Sequence, residues 1–283
     1  MRLISFTENG GSAAGILKNE GVFPLADLGF GSALEFIAAG ERAILTAERA
    51  ALASQKLRPL SGVKLLAPIP RPAKILCVGL NYRDHAIESR MEIPPVPTVF
   101  AKYPTAVIGP GAPIVISSVT EKPDYEAELA LVIGKGGERI SRANWRSHVF
   151  GYTVLNDVSA RDVQLATSQW TLGKSLSTFA PLGPHIVTAD EIPDPQALDI
   201  RLSIGGDMLQ HSNTRELIFG VPELIEHISR FIALEPGDII STGTPAGVGL
   251  GRTPPRWLRH GDEVVIDIEK IGTLRNPVVA SSN

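Results

Sequence analysis

The chain of 283 residues has one cysteine, no long apolar run and little charge imbalance, and each scarcity removes a class of function. Cys77 alone cannot form an internal disulfide, and its place in the apolar run KILCVGL suits a small core residue. No window approaches the ~18 uncharged apolar residues that read as a membrane span. The start, MRLISFTENGGSAAG, also lacks the apolar heart of a secretory signal. A soluble cytoplasmic protein with no membrane partner is expected. A net charge of −3 and a pI near 6.1 leave no electrostatic footprint for nucleic acid.

Several catalytic signatures are also missing. LGKS at 172–175 lacks the glycine that a phosphate loop needs five residues before Gly173, where Ser168 stands. After Gly247 and Gly249, Arg252 occupies the third glycine position of a dinucleotide fingerprint. There is no G-x-S-x-G elbow and no H-E-x-x-H zinc helix. With acidic residues prominent and one cysteine, a metal here would be a hard, oxygen-loving ion rather than zinc. The only dense basic stretch, GRTPPRWLRH, puts Arg252, Arg256 and Arg259 either at the rim of an anion pocket or in a solvated loop.

What is present is a globular composition, 43% hydrophobic. Residues 1 to about 70 alternate strand-like pieces (RLISFT, AAGILKN, GVFPLADL) with a helical run, and the proline-rich APIPRPAK reads as a linker. From about residue 71 to 283, strand signals dominate: KILCVGL, EAELALVIG, FGYTVLND, DIRLSIGG, GDIISTG and DEVVIDIEKIGTLRNPVV. TRELIFGVPELIEHISRFIAL is the clearest helical segment there, with Pro222 suited to a first turn. The expected fold class is α+β, mainly β, with a small N-terminal α/β domain before a larger domain of strands and peripheral helices.

Within PDYEAELALVIGK, Glu126 and Glu128 lie two apart on an otherwise apolar strand, so both carboxylates share one face. Burying them costs several kcal/mol each unless a cation lies between them. The alternative is the solvated face of an amphipathic edge strand, with Tyr125, Ala127 and Leu129 inward, and the alternating pattern alone favours it. Asp157 falls where the strand pattern of FGYTVLND gives way to a turn, and strand ends commonly carry sites. In GLNYRDHAIES, His85 and Glu88 stand three apart, the helical spacing at which a carboxylate can orient an imidazole; by itself such a pair is more often a surface contact.

Taken together, VGLNYRDHAIE, DYEAELALVIGK, LNDVSARDVQ, GKSLSTFAPLGP and STGTPAGVG occur in the order found in the fumarylacetoacetate hydrolase family, which the chain resembles from about Lys74 to Val279. The resemblance implies a twisted mixed-β roll and a homodimer. It implies that Glu126, Glu128 and Asp157 hold Mg2+ or Mn2+, that His85 and Glu88 activate water, and that Lys174 is the catalytic lysine of the Gly-Lys-Ser run. Arg161, Gln164 and Thr244 match positions lining the family's substrate site. Lys102, retained in FAKYPT, is placed with them as substrate-binding, although the residues around it depart from the usual pattern. The implied substrate is a small 2-oxo or 2,4-diketo acid, and the implied reaction is hydrolysis of an acylpyruvate C–C bond to release pyruvate. Cleavage expels a pyruvate enolate, which a divalent metal would stabilise while His85 acts as general base and Lys174 steadies the oxyanion. Oxaloacetate decarboxylation and isomerisation of an oxo-diene acid need the same enolate and stand as alternatives; a catalytically silent binding protein is the non-enzyme alternative.

Overall fold

The computed structural model describes residues 1–281. It begins with a meander, β1 (Arg2–Glu8), β2 (Gly11–Lys18) and β3 (Gly21–Pro24), then α1 (Ala33–Ala38) and α2 (Glu41–Ala53). The first hairpin turns through Asn9 and Gly10 at φ 48° and 77°, a backbone region these two residue types tolerate. Ser32 caps α1 by accepting the Glu35 N–H at 3.1 Å. There follow β4 (Ile75–Gly79), α3 (Arg83–Ser89), β5 (Thr98–Lys102), β6 (Ile114–Ile116), β7 (Ala127–Ile133) and β8 (Val149–Asn156). Next come α4 (Arg161–Gln164), α5 (Thr171–Lys174), β9 (Ala180–Thr188), β10 (Asp199–Ile204) and β11 (Asp207–Asn213). The chain closes with α6 (Val221–Ser229), β12 (Ile239–Ser241), β13 (Glu263–Ile268) and β14 (Gly272–Ala280).

The larger sheet runs β3-β2-β1-β9-β8-β7-β12-β4-β5, antiparallel along this path except for the parallel pair β12 and β4. The smaller runs β11-β10-β13-β14-β6. The main core lies between them, where Leu129, Leu131 and Val154 meet Ile200, Leu202, Ile266 and Leu274, with Ile225 and Ile228 of α6 closing one side. Pro222 stands in the first turn of α6, where its missing N–H has no helical partner to lose. On the other face of the large sheet, Phe36 and Ile37 of α1 and Ala47 and Ala51 of α2 pack with Val132, Phe150 and Ile186. The fold is therefore the expected mainly-β α+β architecture, with the N-terminal meander hydrogen-bonded into the large sheet through β1 and β9. Among the described residues no helix is long and apolar enough to cross a membrane.

One expectation is corrected. The alternation around Glu126 and Glu128 is real, but β7 is a central strand between β8 and β12, and all of its residues are buried. Leu129, Leu131 and Ile133 enter the inter-sheet core while Ala130 and Val132 face the opposite clusters, so the glutamates share a buried face rather than a wet one.

Candidate active site and metal centre

The register of β7 against β8 sets Ala127 opposite Asn156, which brings the residues just outside that rung together. The Asp157 N–H donates to the Glu126 carbonyl at 2.9 Å. One carboxylate oxygen each from Glu126, Glu128 and Asp157 lies within 4.8 Å of the others, and all three residues are buried.

Three buried cations surround them. Lys174 Nζ lies 2.6 Å from Glu126 Oε2 and 2.9 Å from Asp157 Oδ2. It reaches the cluster because Gly173 passes so close to α4 that a Cβ there would sit 2.4 Å from the Gln164 backbone nitrogen. Lys102 Nζ, at the end of β5, donates to Asp157 Oδ1 at 2.6 Å and to the Val158 carbonyl at 3.0 Å. Arg161, opening α4, donates to Glu126 Oε1 at 2.6 Å, to Asp124 Oδ2 at 2.8 Å and to Gln164 Oε1 at 3.0 Å. Among the described residues, Glu128 pairs with no cation. It accepts from Ser241 Oγ at 2.5 Å and from the Gly243 N–H at 3.0 Å, and Gly243 aims that N–H from φ 99°, a conformation suited to glycine.

The charges do not balance. With all four carboxyls ionised, Asp124, Glu126, Glu128 and Asp157 would set four negative charges against three positive on Lys102, Arg161 and Lys174, one negative in excess (4 − 3). Burial pushes the Glu126 carboxyl up, but Arg161 and Lys174 outweigh it and hold the group at about 2. Burial, then repulsion from Asp157 and Glu126, drives the Glu128 carboxyl well above the ordinary range. Lys174 stays charged because Asp157 and Glu126 outweigh the burial that would lower its pKa. A buried excess of negative charge with an all-oxygen donor set fits a hard divalent cation such as Mg2+ or Mn2+.

His85 and Glu88 share α3, with His85 Nδ1 3.3 Å from Glu88 Oε2. Glu88 also accepts the Gly247 N–H at 3.0 and 3.1 Å, which fixes it from the far side. His85 is near enough for a positive charge on its ring to help lower Glu126. Thr244 follows Gly243, its Oγ1 accepting from Gln210 Nε2 at 2.9 Å. The basic stretch is held by its own contacts. Arg252 braces its own loop through the Gly247 carbonyl and Tyr125 Oη, each at 3.2 Å, Arg256 pairs with Asp262, and Arg259 is exposed.

Reading the sequence missed Asp124, which is fully buried. It binds Arg161 through Oδ2 and the backbone N–H groups of Gly249 and Leu250 at 2.7 and 3.0 Å, joining the cluster to the 249–251 turn. Its spacing two residues before Glu126 was the available signal. Ser241, the hydroxyl partner of Glu128, is signalled only by its place at the end of β12.

The model of the fumarylacetoacetate hydrolase C-terminal family matches residues 74–279, and that of the Rv2993c-like N-terminal family matches residues 1–68. The chain is 48% identical over 261 residues to the oxaloacetate tautomerase YisK of Bacillus subtilis, covering 88% of this chain and 86% of that protein. A mitochondrial oxaloacetate tautomerase of Xenopus laevis is 46% identical over 247 residues, covering 87% of this chain and 77% of that one. Among solved structures, the maleylpyruvate hydrolase of Sphingobium sp. SYK-6 in complex with manganese(II) and pyruvate superposes with a TM-score of 0.85 at 32% identity, covering all of both chains.

Proposed function

Because the chain belongs to the fumarylacetoacetate hydrolase family, we propose that it is a divalent-metal-dependent enzyme interconverting the keto and enol forms of a short 2-oxo diacid of the oxaloacetate type. The observation that carries this reading is the buried, charge-unbalanced group of Glu126, Glu128 and Asp157 beside a basic side chain, in a chain 48% identical to an oxaloacetate tautomerase. Held by those three carboxylates, Mg2+ or Mn2+ would supply Lewis-acid polarisation of the 2-oxo group.

The chemistry asks little else of the protein. Removing a C3 proton moves the C–H electron pair into a C2=C3 bond and shifts charge onto the 2-oxo oxygen, which takes up a proton to complete the enol. The return path reverses each move, with no net change of atoms or charge. His85 carries the proton: with Nδ1 turned to Glu88, its Nε2 is free to exchange. Glu88, fixed by Gly247, stabilises the imidazolium formed on the way. The buried Lys174 ammonium favours the enolate charge. Arg161 and Lys102 hold Glu126 and Asp157 in position, and Gln164 and Thr244 complete the polar lining. We further propose, on family resemblance, a cytoplasmic homodimer.

Acylpyruvate hydrolysis, the reaction expected from the sequence, is the second reading. It is favoured by the His85–Glu88 pair, which can make water nucleophilic as readily as it can move a C3 proton, and by the likeness to a maleylpyruvate hydrolase. Presenting the enzyme with oxaloacetate enol and with acylpyruvates, and following enol absorbance, CO2 and pyruvate in parallel, separates the reactions. Loss of enol absorbance without pyruvate or CO2 supports the tautomerase. Pyruvate and a carboxylic acid from an acylpyruvate, with no acceleration of tautomerisation, supports the hydrolase.

A further inference from the structure

Away from the carboxylate cluster, a cleft of about 360 Å3 opens between the start of α3, the segment 214–220 and the start of α6. Arg83, Arg142 and Arg215 line it, together with Gln196, Thr214 and one carboxylate, Glu223. Arg142 is matched in charge by Glu223 at 3.0 Å and Glu226 at 3.1 Å. Arg83 and Arg215 are not: among the described residues neither pairs with a carboxylate. Arg83 Nη1 donates to the Leu217 carbonyl at 2.9 Å and Arg215 Nε to Asn213 Oδ1 at 3.0 Å, which leaves most of each guanidinium fork without a protein acceptor. Solvated arginines on a convex surface need no explanation. Arg83 and Arg215 are exposed, but two of them lining one cavity beside a polar amide present the planar donors that carboxylates and phosphates take up in pairs.

The wall of this cleft is built onto the helix carrying His85. Arg83 opens α3 and His85 stands two residues further along it. The preceding turn is clamped to the cleft: Ile218 N–H donates to the Asn81 carbonyl at 2.8 Å, Phe219 N–H donates to Asn81 Oδ1 at 2.8 Å, and Tyr82 bridges Leu217. Asn81 Nδ2 also reaches the Thr242 carbonyl at 2.8 Å, next to the Gly243 that donates to Glu128.

We propose that the cleft binds a small anion carrying two or more negative charges, a phosphate ester or a polycarboxylate, between Arg83 and Arg215, and that its binding stiffens α3. The anion relieves the repulsion between the two cations and ties the first turn of α3 to segment 214–220, so its occupancy is coupled to the placement of His85.

Calorimetric titration of the full-length, metal-loaded protein with glycerol 2-phosphate and, separately, tricarballylate tests this directly. It reads heat rather than turnover, so it stands apart from the proposed reaction. At least one probe titrates saturably, one per chain, with Kd below about 10 mM, and the stronger of the two identifies the chemistry. Arg83→Gln with Arg215→Gln weakens that binding about tenfold or more, as loss of charge-assisted forks requires. Arg215→Gln alone, which leaves α3 untouched, weakens it by a smaller factor, and Arg142→Gln changes it less than about threefold because that charge is already matched. Saturating probe slows amide exchange across residues 81–90. No saturable binding of either probe, wild-type affinity in the double variant, or unchanged exchange in α3 overturns the proposal.

Discussion

Replacing Glu128 by glutamine should move stability in opposite directions with and without divalent metal. Glu128 is 2% exposed, and burial together with Asp157 and Glu126 works against its charge. A glutamine keeps an oxygen for the Ser241 hydroxyl and the Gly243 N–H while removing the carboxyl whose ionisation the cluster opposes. Without metal the variant is expected to gain about 1–2 kcal/mol, at the lower end of what neutralising uncompensated buried charge returns. For a chain of this size that raises Tm by about 2–4 °C per kcal/mol. With Mn2+ at about 100 times its Kd the wild type gains about 2.7 kcal/mol by mass action, and the variant, short of one ligand, gains little. Thermal melting of both proteins in chelator and in Mn2+ reads the crossing of the two orders. A variant destabilised by more than about 2 kcal/mol in chelator, or one keeping the full Mn2+ shift, refutes the charge assignment.

Lys174→Met leaves Glu126 and Asp157 short of their shared cation, so a loss of about 3–5 kcal/mol is expected in chelator, read by chemical denaturation; a loss under 1 kcal/mol contradicts the network. His85→Ala should cut turnover by about 100-fold or more while the Mn2+-induced Tm shift stays, and an equal loss of both would make His85 part of the metal site. Glu88→Gln is expected to lower the rate less, because the amide can still orient the ring. His185 offers a pH prediction away from the site: burial and then Arg2 depress its pKa from 6.5 to about 4, and its Nε2 is buried without a partner. Its folded pKa lies below the unfolded one, so its contribution is complete above about 6.5 and is lost as pH falls through 6.5 towards 4, by up to about 3 kcal/mol. His185→Gln should flatten stability in that window, and an unchanged pH profile of unfolding would count against it.

Much of this architecture was legible because strands and helix starts announce themselves locally. The strand signal in EAELALVIG and Pro222 ahead of an amphipathic run each mark their element from within a few residues. Glu126, Glu128 and Asp157 could be picked out by type and by ordered motifs. Their burial could not, because it comes from neighbours far along the chain: β12 and β8 flank β7, α1 and α2 cover Val132 on the face the local pattern leaves looking wet, and Lys102, Arg161 and Lys174 close over the carboxylates. Asp124 escaped because its Arg161 partner lies 37 residues away and its backbone partners 125 and 126 away. Lys102 shows the same limit. FAKYPT gives no hint that its ammonium is buried against Asp157, 55 residues on.

The central claim is that Glu126, Glu128 and Asp157 hold a divalent cation needed to form a 2-oxo acid enolate. Its most direct test is the rate of oxaloacetate enol–keto interconversion by the purified protein, first after exhaustive chelation and then after adding back Mg2+ or Mn2+. The account predicts a rate near the uncatalysed background in chelator, restoration on adding either metal, and no restoration for Asp157→Asn. Full activity in chelator, or restoration of Asp157→Asn to the wild-type rate, would contradict it.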